Sequence, residues 1–398
     1  MRKWMGILSV TAALFAADMQ AQQNLFGGQD ILSAVVNADR TVTFRCMAPD
    51  AQKVQVAGDF AATVEDNPVG GIVGTGLLSM TKDEKGVWIY TSGPLEPELY
   101  SYLFVVDGVA TLDINNPHVY RDFATISNVF LVGGGQADLY QVNDIPHGSL
   151  THRWYDSPAL GTDRRINIYT PPGYERSGER YPVLYLLHGA GGDEDEWVTF
   201  GKATRILDNL INQGKAKPMI LVMPNGHIHL EAAPGESSRG FYKPEHLRLE
   251  NAAGAFEANF KEIIDFTDRD FRTIPDKAHR AIAGLSMGGG HAMTISGYFE
   301  NTFDYVGLFS AAAGGRSGRP ATGVYAGFDT TLKKQFDNGV KLYWIGIGTE
   351  DFLYNANKQL RAQLDAIGAK YTYVETGGGH VWKNWRIYLS DFAPLLFR

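Results

Sequence analysis

A single cysteine, Cys46, stands in the 398 residues. An intramolecular disulfide and a cysteine-rich metal site are both excluded. Basic residues are in deficit: 36 Lys and Arg against 44 Asp and Glu give a formal charge of −8. That balance argues against nucleic acid or an anionic membrane surface as the main partner, because both reward clustered Lys and Arg. Charge is sparse, at 20%. Beyond the N-terminus no stretch reaches the ~18 apolar residues that a membrane-spanning helix needs. Internal repeats and long low-complexity tracts are also lacking. What remains is 44% hydrophobic and 12% aromatic, enough for a sizeable core and unlike a disordered chain. At roughly 150 residues per domain, the length fits two or three domains.

Residues 1–21 read as an export signal. Met1-Arg2-Lys3 is a basic start, and the apolar run Trp4–Ala17 is too short to span a bilayer. Ala16, Ala17 and Ala21 supply small residues for cleavage, expected after Ala21. Export with one cysteine fits a bacterial periplasm better than a disulfide-stapled secretory protein. The expectation is an exported protein, periplasmic or secreted, without a membrane span.

Residues 22–135 read as a β domain. In Thr41-Val42-Thr43-Phe44-Arg45-Cys46 the residues Val42, Phe44 and Cys46 share one face, which makes Cys46 a small core residue. Val54 and Val56 alternate, Val87–Tyr90 and Tyr100–Val106 follow, and Asp107-Gly108 is a hairpin signal. Asn128–Val132 closes a set of short strands that predicts a sandwich. Gly133-Gly134-Gly135 is the candidate linker.

The pattern then changes, and 146–398 reads as an α/β domain. Arg165–Tyr169, Val183–Leu187, Ile220–Met223, Ala278–Ala283, Tyr305–Ser310, Leu342–Ile347 and Lys370–Val374 are expected strands. Several are near-continuous apolar runs, as in a sheet covered on both faces. Thr204–Gln213 and Phe256–Phe271 are expected helices, and Leu360, Leu364 and Ile367 mark another that Gly368 stops.

Gly284-Leu285-Ser286-Met287-Gly288-Gly289 matches the G-x-S-x-G nucleophile elbow, and it stands between an apolar strand and a small-residue helix. Such a turn projects a serine hydroxyl into a site, and the helix N-terminus beside it favours developing negative charge. A serine needs a base. His380, in Gly377-Gly378-Gly379-His380-Val381-Trp382, follows the last strand and stands after both the serine and a good acid. That is the chain order of an α/β-hydrolase triad. Asp351 and Glu350 both end the strand Leu342–Ile347, and Asp351 is the favoured acid. It would orient the imidazole and stabilise the imidazolium.

The backbone N–H of Met287 is one expected oxyanion donor, and that of Ala190, in His188-Gly189-Ala190-Gly191-Gly192, is the other. His188 would orient that loop. His291 and His279 read as structural and surface residues, and His227-Ile228-His229 as a weak metal pair without evident partners. No metal and no cofactor is expected. Trp197 and Trp382 are the candidate substrate contacts, Trp382 as either an acyl wall or a prop for the histidine loop. The acyl cleft is expected between the 193–197 and 226–250 loops.

These residues together resemble carbohydrate esterase family 1, the α/β-hydrolases that include feruloyl and acetyl xylan esterases. The resemblance rests on Pro146-His147-Gly148, Tyr169–Tyr174, Leu187-His188-Gly189, the elbow, Gly348-Thr349-Glu350-Asp351 and Gly379-His380 with Trp382. It implies Ser286 as nucleophile, Asp351 as acid and His380 as base. The stretch from Thr41 through Ala48-Pro49 and Val54–Phe60 to Asp107-Gly108 is similar to the immunoglobulin-like carbohydrate-binding module family 48. The implied fold is an α/β-hydrolase behind an immunoglobulin-like β-sandwich. The implied substrate is an acyl ester on plant cell-wall polysaccharide, feruloyl arabinoxylan foremost. Acetyl xylan, a siderophore ester or another small-molecule ester are the alternatives, and a non-catalytic glycan-binding protein is the reading from another class.

Overall fold

In this computed structural model the described residues are 31–63, 76–122, 125–241, 254–313 and 322–398. The export-signal reading lies outside them.

The C-terminal region is built on eight strands: β1 (Ser149–Ser157), β2 (Thr162–Thr170), β3 (Val183–Leu187), β4 (Ile220–Pro224), β5 (Arg280–Leu285), β6 (Tyr305–Phe309), β7 (Leu342–Gly348) and β8 (Thr372–Thr376). They lie in the order β1-β2-β4-β3-β5-β6-β7-β8. The β1–β2 and β2–β4 pairs are antiparallel, and all pairs from β4 to β8 are parallel. The longer helices are α1 (Ala203–Asn212), α2 (Lys261–Asp270), α3 (Met287–Tyr298), α4 (Phe328–Asp337), α5 (Tyr354–Ala366) and α6 (Trp382–Phe392).

The apolar runs of the strands divide between two cores, because successive side chains leave opposite faces of a strand. Leu184, Leu186, Leu221, Ala281, Ala283, Phe309 and Trp344 face α1 and α6. Val183, Tyr185, Val222, Ile282, Leu308 and Ile345 face α2, α3 and α5. Burial on both faces explains why these strands read as unbroken apolar runs rather than alternating ones. The chain leaves β3 for β4 on one side and returns to β5 on the other. Ligands of open α/β sheets bind outside the strand C-termini at such a reversal, and the loops after β3 and β5 meet there.

Two expected elements are displaced for local reasons. The helix expected over Phe256–Phe271 is broken into Ala255–Ala258 and α2. At the break, the Asn259 side chain donates to the Ala255 carbonyl at 2.8 Å, sharing it with the Asn259 backbone N–H at 3.3 Å. The strand expected from Ala278 starts at Arg280, because Lys277–His279 form a 3₁₀ turn capped by the Asp276 carboxylate.

The N-terminal region holds two antiparallel sheets. One contains Val42–Met47 and Val87–Thr91, the other Val54–Thr63, Glu98–Val106, Val119–Asp122 and Thr125–Val132. Val42, Phe44, Val56, Trp88, Tyr102, Phe104 and Phe130 fill the space between them, with Cys46 half-buried at its edge. The glycine run 133–135 is not a free linker. Gly134 and Gly135 take φ of 109° and 52° and feed the 3₁₀ turn Gly135–Tyr140, whose Ala137 and Tyr140 are fully buried. These two, with Leu99 and Val129, join the same core as α1 and α6. Arg386 of α6 fastens the seam: it donates to Glu98 (3.1 Å), to the Leu99 carbonyl (2.9 Å) and to the Phe200 carbonyl (3.0 Å).

Candidate active site

Ser286 sits between β5 and α3 with φ 51° and ψ −113°. A non-glycine residue held there stores on the order of 1–3 kcal/mol of strain, which its surroundings must over-determine. They do. Its N–H donates to the Phe309 carbonyl (2.9 Å), and its carbonyl accepts from the amides of Gly290 (3.1 Å) and Ala312 (2.8 Å). The flanking glycines are required by contact. A Cβ on Gly284 would lie 2.4 Å from the Gly288 carbonyl oxygen, and one on Gly288 would lie 2.4 Å from that of His188. The elbow therefore packs directly against the loop that follows β3.

Met287 opens α3, so its amide belongs to the first-turn N–H groups that lack an intrahelical acceptor. The Gly189–Gly192 loop runs beside Ser286: a Cβ on Gly189 would stand 3.5 Å from the Ser286 Cβ. Ala190 lies exposed at its tip. His188 braces this loop. Its Nδ1 donates to the Gly189 carbonyl (2.8 Å) and its Nε2 accepts from the Gly226 amide (2.7 Å). Burial, with His227 beside it, pushes its pKa well below the usual histidine value. A neutral ring with that tautomer satisfies both hydrogen bonds.

Asp351 ends β7 and is buried, while Glu350 points to solvent. The Asp351 Oδ2 lies 2.9 Å from His380 Nδ1, and its Oδ1 accepts from the Leu353 amide at 2.8 Å. Burial pushes this carboxyl up. Its hydrogen bonds to His380 and Leu353, the histidine's charge and the Ser310 hydroxyl outweigh that, holding it below the usual carboxylate value. His380 is half-buried in the loop that enters α6, with Trp385 edge-on at 4.9 Å between ring centroids. The structure thus joins Asp351, not Glu350, to His380. It also sets the serine after β5, at the same end of the sheet and one strand removed from β7, on a helix N-terminus.

The two tryptophans proposed as substrate contacts are displaced from that role. Trp197 is 1% exposed, with its indole N–H donating to the Leu187 carbonyl at 2.9 Å. Trp382 is 9% exposed, packed against Trp197, Phe200 and Trp385. Its indole donates to Asp122 of the N-terminal region at 3.2 Å. Neither ring offers a face to a ligand, because both fill the core that carries the histidine loop. The aromatic surface at the site is Phe352 instead. It is 75% exposed, with its ring centroid 4.5 Å from that of His380. Its signal in the sequence was its place next to Asp351. The expected acyl cleft falls partly on residues 242–250, which lie outside the described ones.

The acidic run Asp193–Glu196 is a site feature that charge alone disguised. Asp193, Glu194 and Glu196 are buried. Arg121 pairs with Asp193, and Arg165 with Glu194 (2.8 Å) and Asp195 (3.0 Å). Burial first, then Asp122 and Asp193, pushes Glu196 well above the usual carboxylate range. A sequence signal existed: Arg164-Arg165 stands in a strand whose residues from Arg164 to Thr170 are all buried. His227 accepts from the Gly191 amide at 3.3 Å. Among the described residues no group of three His, Cys, Asp or Glu converges to hold a metal. His291 is buried 3.8 Å from Glu257, and His279 pairs with Asp276 at 2.7 Å.

Residues 157–395 match the family described as "Putative esterase". The chain is 32% identical over 373 residues to an endo-1,4-beta-xylanase/feruloyl esterase of Xylanibacter ruminicola, covering 92% of this chain and 46% of that protein. It spans about half the length of the first curated relatives it matches. A ferulic acid esterase structure superposes with a TM-score of 0.50 at 25% identity, over 62% of this chain and 97% of that one. The enterobactin esterase of Shigella flexneri superposes over 89% of this chain and 92% of its own, with a TM-score of 0.60 and 18% identity. That likeness concerns the fold, and it extends through the N-terminal sheets.

Proposed function

The chain belongs to the putative esterase family, and from that premise we propose that it is a serine carboxylic ester hydrolase that removes hydroxycinnamate groups, ferulate foremost, from arabinoxylan. The hydrogen bond between Asp351 and His380, with Ser286 on its strained turn, is the observation that carries the chemistry. The 32% identity to a xylanase/feruloyl esterase, across 92% of this chain, supports the substrate.

In this reading Ser286 Oγ attacks the ester carbonyl carbon and passes its proton to His380 Nε2. Asp351 fixes the ring with Nδ1 protonated and stabilises the imidazolium. The amides of Met287 and Ala190 receive the oxyanion. Collapse of the tetrahedral adduct breaks the bond to the sugar oxygen, which takes the proton from His380. Water then attacks the acyl-serine, giving its proton to the same base, and the free acid leaves with Ser286 restored. Phe352 forms a flat wall for the aromatic acyl group.

The N-terminal sheets are read as an immunoglobulin-like module similar to carbohydrate-binding module family 48. Their bonds to Arg386, Trp382 and Asp193 support a packing role over a free binding module. Export is read from residues 1–21, and no described helix is long and apolar enough to cross a membrane.

The test is product release from feruloylated, acetylated arabinoxylan, with a siderophore triester as a control. Ferulate release outpacing acetate and siderophore hydrolysis is the expected result. Acetate as the main product would assign the acetyl xylan reaction, and cleavage of the siderophore alone would remove polysaccharide from the reading.

A further inference from the structure

A cavity of about 220 Å³ opens at the seam between the N-terminal sheets and α1, away from Ser286. Its walls are unlike in character. Leu99, Val129 and Leu131 make one side apolar, and Tyr120 and Tyr140 add two rings. Lys202, Arg205 and His118 supply every ionisable nitrogen, and no carboxylate lines the cavity.

Lys202 is the anomaly. It is 3% exposed, yet its ammonium meets only neutral groups: the Tyr120 hydroxyl, to which it donates, and the Tyr120 ring, 3.9 Å from the centroid. Arg205 donates to the Tyr140 carbonyl at 3.2 Å. Among the described residues, neither side chain forms an ion pair. A buried, uncompensated charge is expensive and is usually paired or coordinated. Lys202 also caps the N-terminus of α1, with Arg205 in its first turn. The dipole there favours an anion and adds to the same unmet demand. Burial, with Arg205 and Arg386 nearby, pushes the Lys202 pKa down to about 7, the response of an ammonium without a counter-ion.

We infer that this cavity is a second binding site, for an aromatic monocarboxylate. The carboxylate head meets Lys202 and Arg205, and the ring lies against Leu99, Val129 and Leu131. The apolar side selects against small hydrated anions such as phosphate, and the cations select against neutral rings. The free acid released by the proposed reaction belongs to this class, but the inference does not rest on that reaction. Phe200, two residues before Lys202, meets the lining residue Tyr120 edge-on at 5.5 Å and stacks on Trp382 at 5.8 Å, which links the cavity by contact to the helix that follows His380.

The experiment is titration calorimetry of the full chain with benzoate and with its neutral isostere benzamide. Wild type and Ser286→Ala should bind benzoate saturably and equally, with benzamide at least about tenfold weaker. Lys202→Met with Arg205→Gln should weaken benzoate by at least about tenfold. Leu131→Trp, which fills the cavity without touching a charge, should do the same. Lys202→Met should also melt no lower than wild type, because it removes an unpaired buried charge. Benzoate binding that survives both variants, equal binding of benzamide, or no binding to wild type would overturn the inference. A Lys202→Met protein that melts well below wild type would overturn it too, since the lysine would then be a structural partner of Tyr120.

Discussion

Replacing Arg386 with methionine tests whether the N-terminal sheets are structurally part of the catalytic unit. Arg386 is 2% exposed and makes two contacts across the seam, to Glu98 and the Leu99 carbonyl, and a third to the Phe200 carbonyl on its own side. Methionine keeps most of the side-chain volume but leaves the buried Glu98 carboxylate without its cation. It also leaves two carbonyls without a donor. Removing one partner of a buried ion pair costs about 3–5 kcal/mol. For a protein of this size that corresponds to a fall of roughly 4–6 °C in melting temperature. Adding Glu98→Gln removes the orphaned charge while its amide oxygen still accepts from the Leu99 N–H. The double variant should recover about half of the loss. The assay is calorimetric melting of wild type, both single variants and the double variant. A loss under about 1 kcal/mol in Arg386→Met, or a double variant no better than the single, would refute the reasoning.

Other outcomes follow from the site. Asp351→Asn should lower kcat by about 10⁴ while the protein stays folded, because the imidazole loses its orienting acceptor; a larger effect from Glu350→Gln would reassign the acid. Phe352→Ala should raise KM for methyl ferulate by roughly tenfold and leave p-nitrophenyl acetate nearly unchanged, whereas equal kcat losses on both would make Phe352 a prop for His380. The raised pKa of Glu196 means that the folded state holds its proton more tightly than the unfolded state. Its stabilising contribution is complete below about pH 4.5 and fades as pH rises toward the folded pKa. Melting at pH 5 and pH 8 should therefore show a smaller drop for Glu196→Gln than for wild type, and an unchanged drop would contradict that assignment.

The parts of the site legible in the sequence are those with strict local geometry. A serine at positive φ between a strand and a helix demands small neighbours at the close approaches of Gly284 and Gly288, so the elbow is written in consecutive residues. His380 was legible by order alone, standing after the last strand and before α6. Three features were not, because each depends on contacts between distant segments. Asp193–Glu196 reads only as part of a cleft-lining loop until Arg121 and Arg165 arrive from other strands to pair with it. Trp382 reads as a cleft residue until Asp122, 260 positions away, accepts its indole proton. Gly133–Gly135 reads as a linker until Ala137 and Tyr140 enter the shared core. Local pattern pointed to the candidate triad, and long-range packing decided which aromatic ring meets solvent.

The central claim, that Ser286 is the nucleophile of an ester hydrolase, is tested most directly by ferulate release from methyl ferulate by the full chain and by Ser286→Ala, with equal circular dichroism spectra for the two. The account predicts measurable turnover by the wild type and a kcat lower by on the order of a million-fold in the variant. Turnover by Ser286→Ala within tenfold of wild type would contradict it.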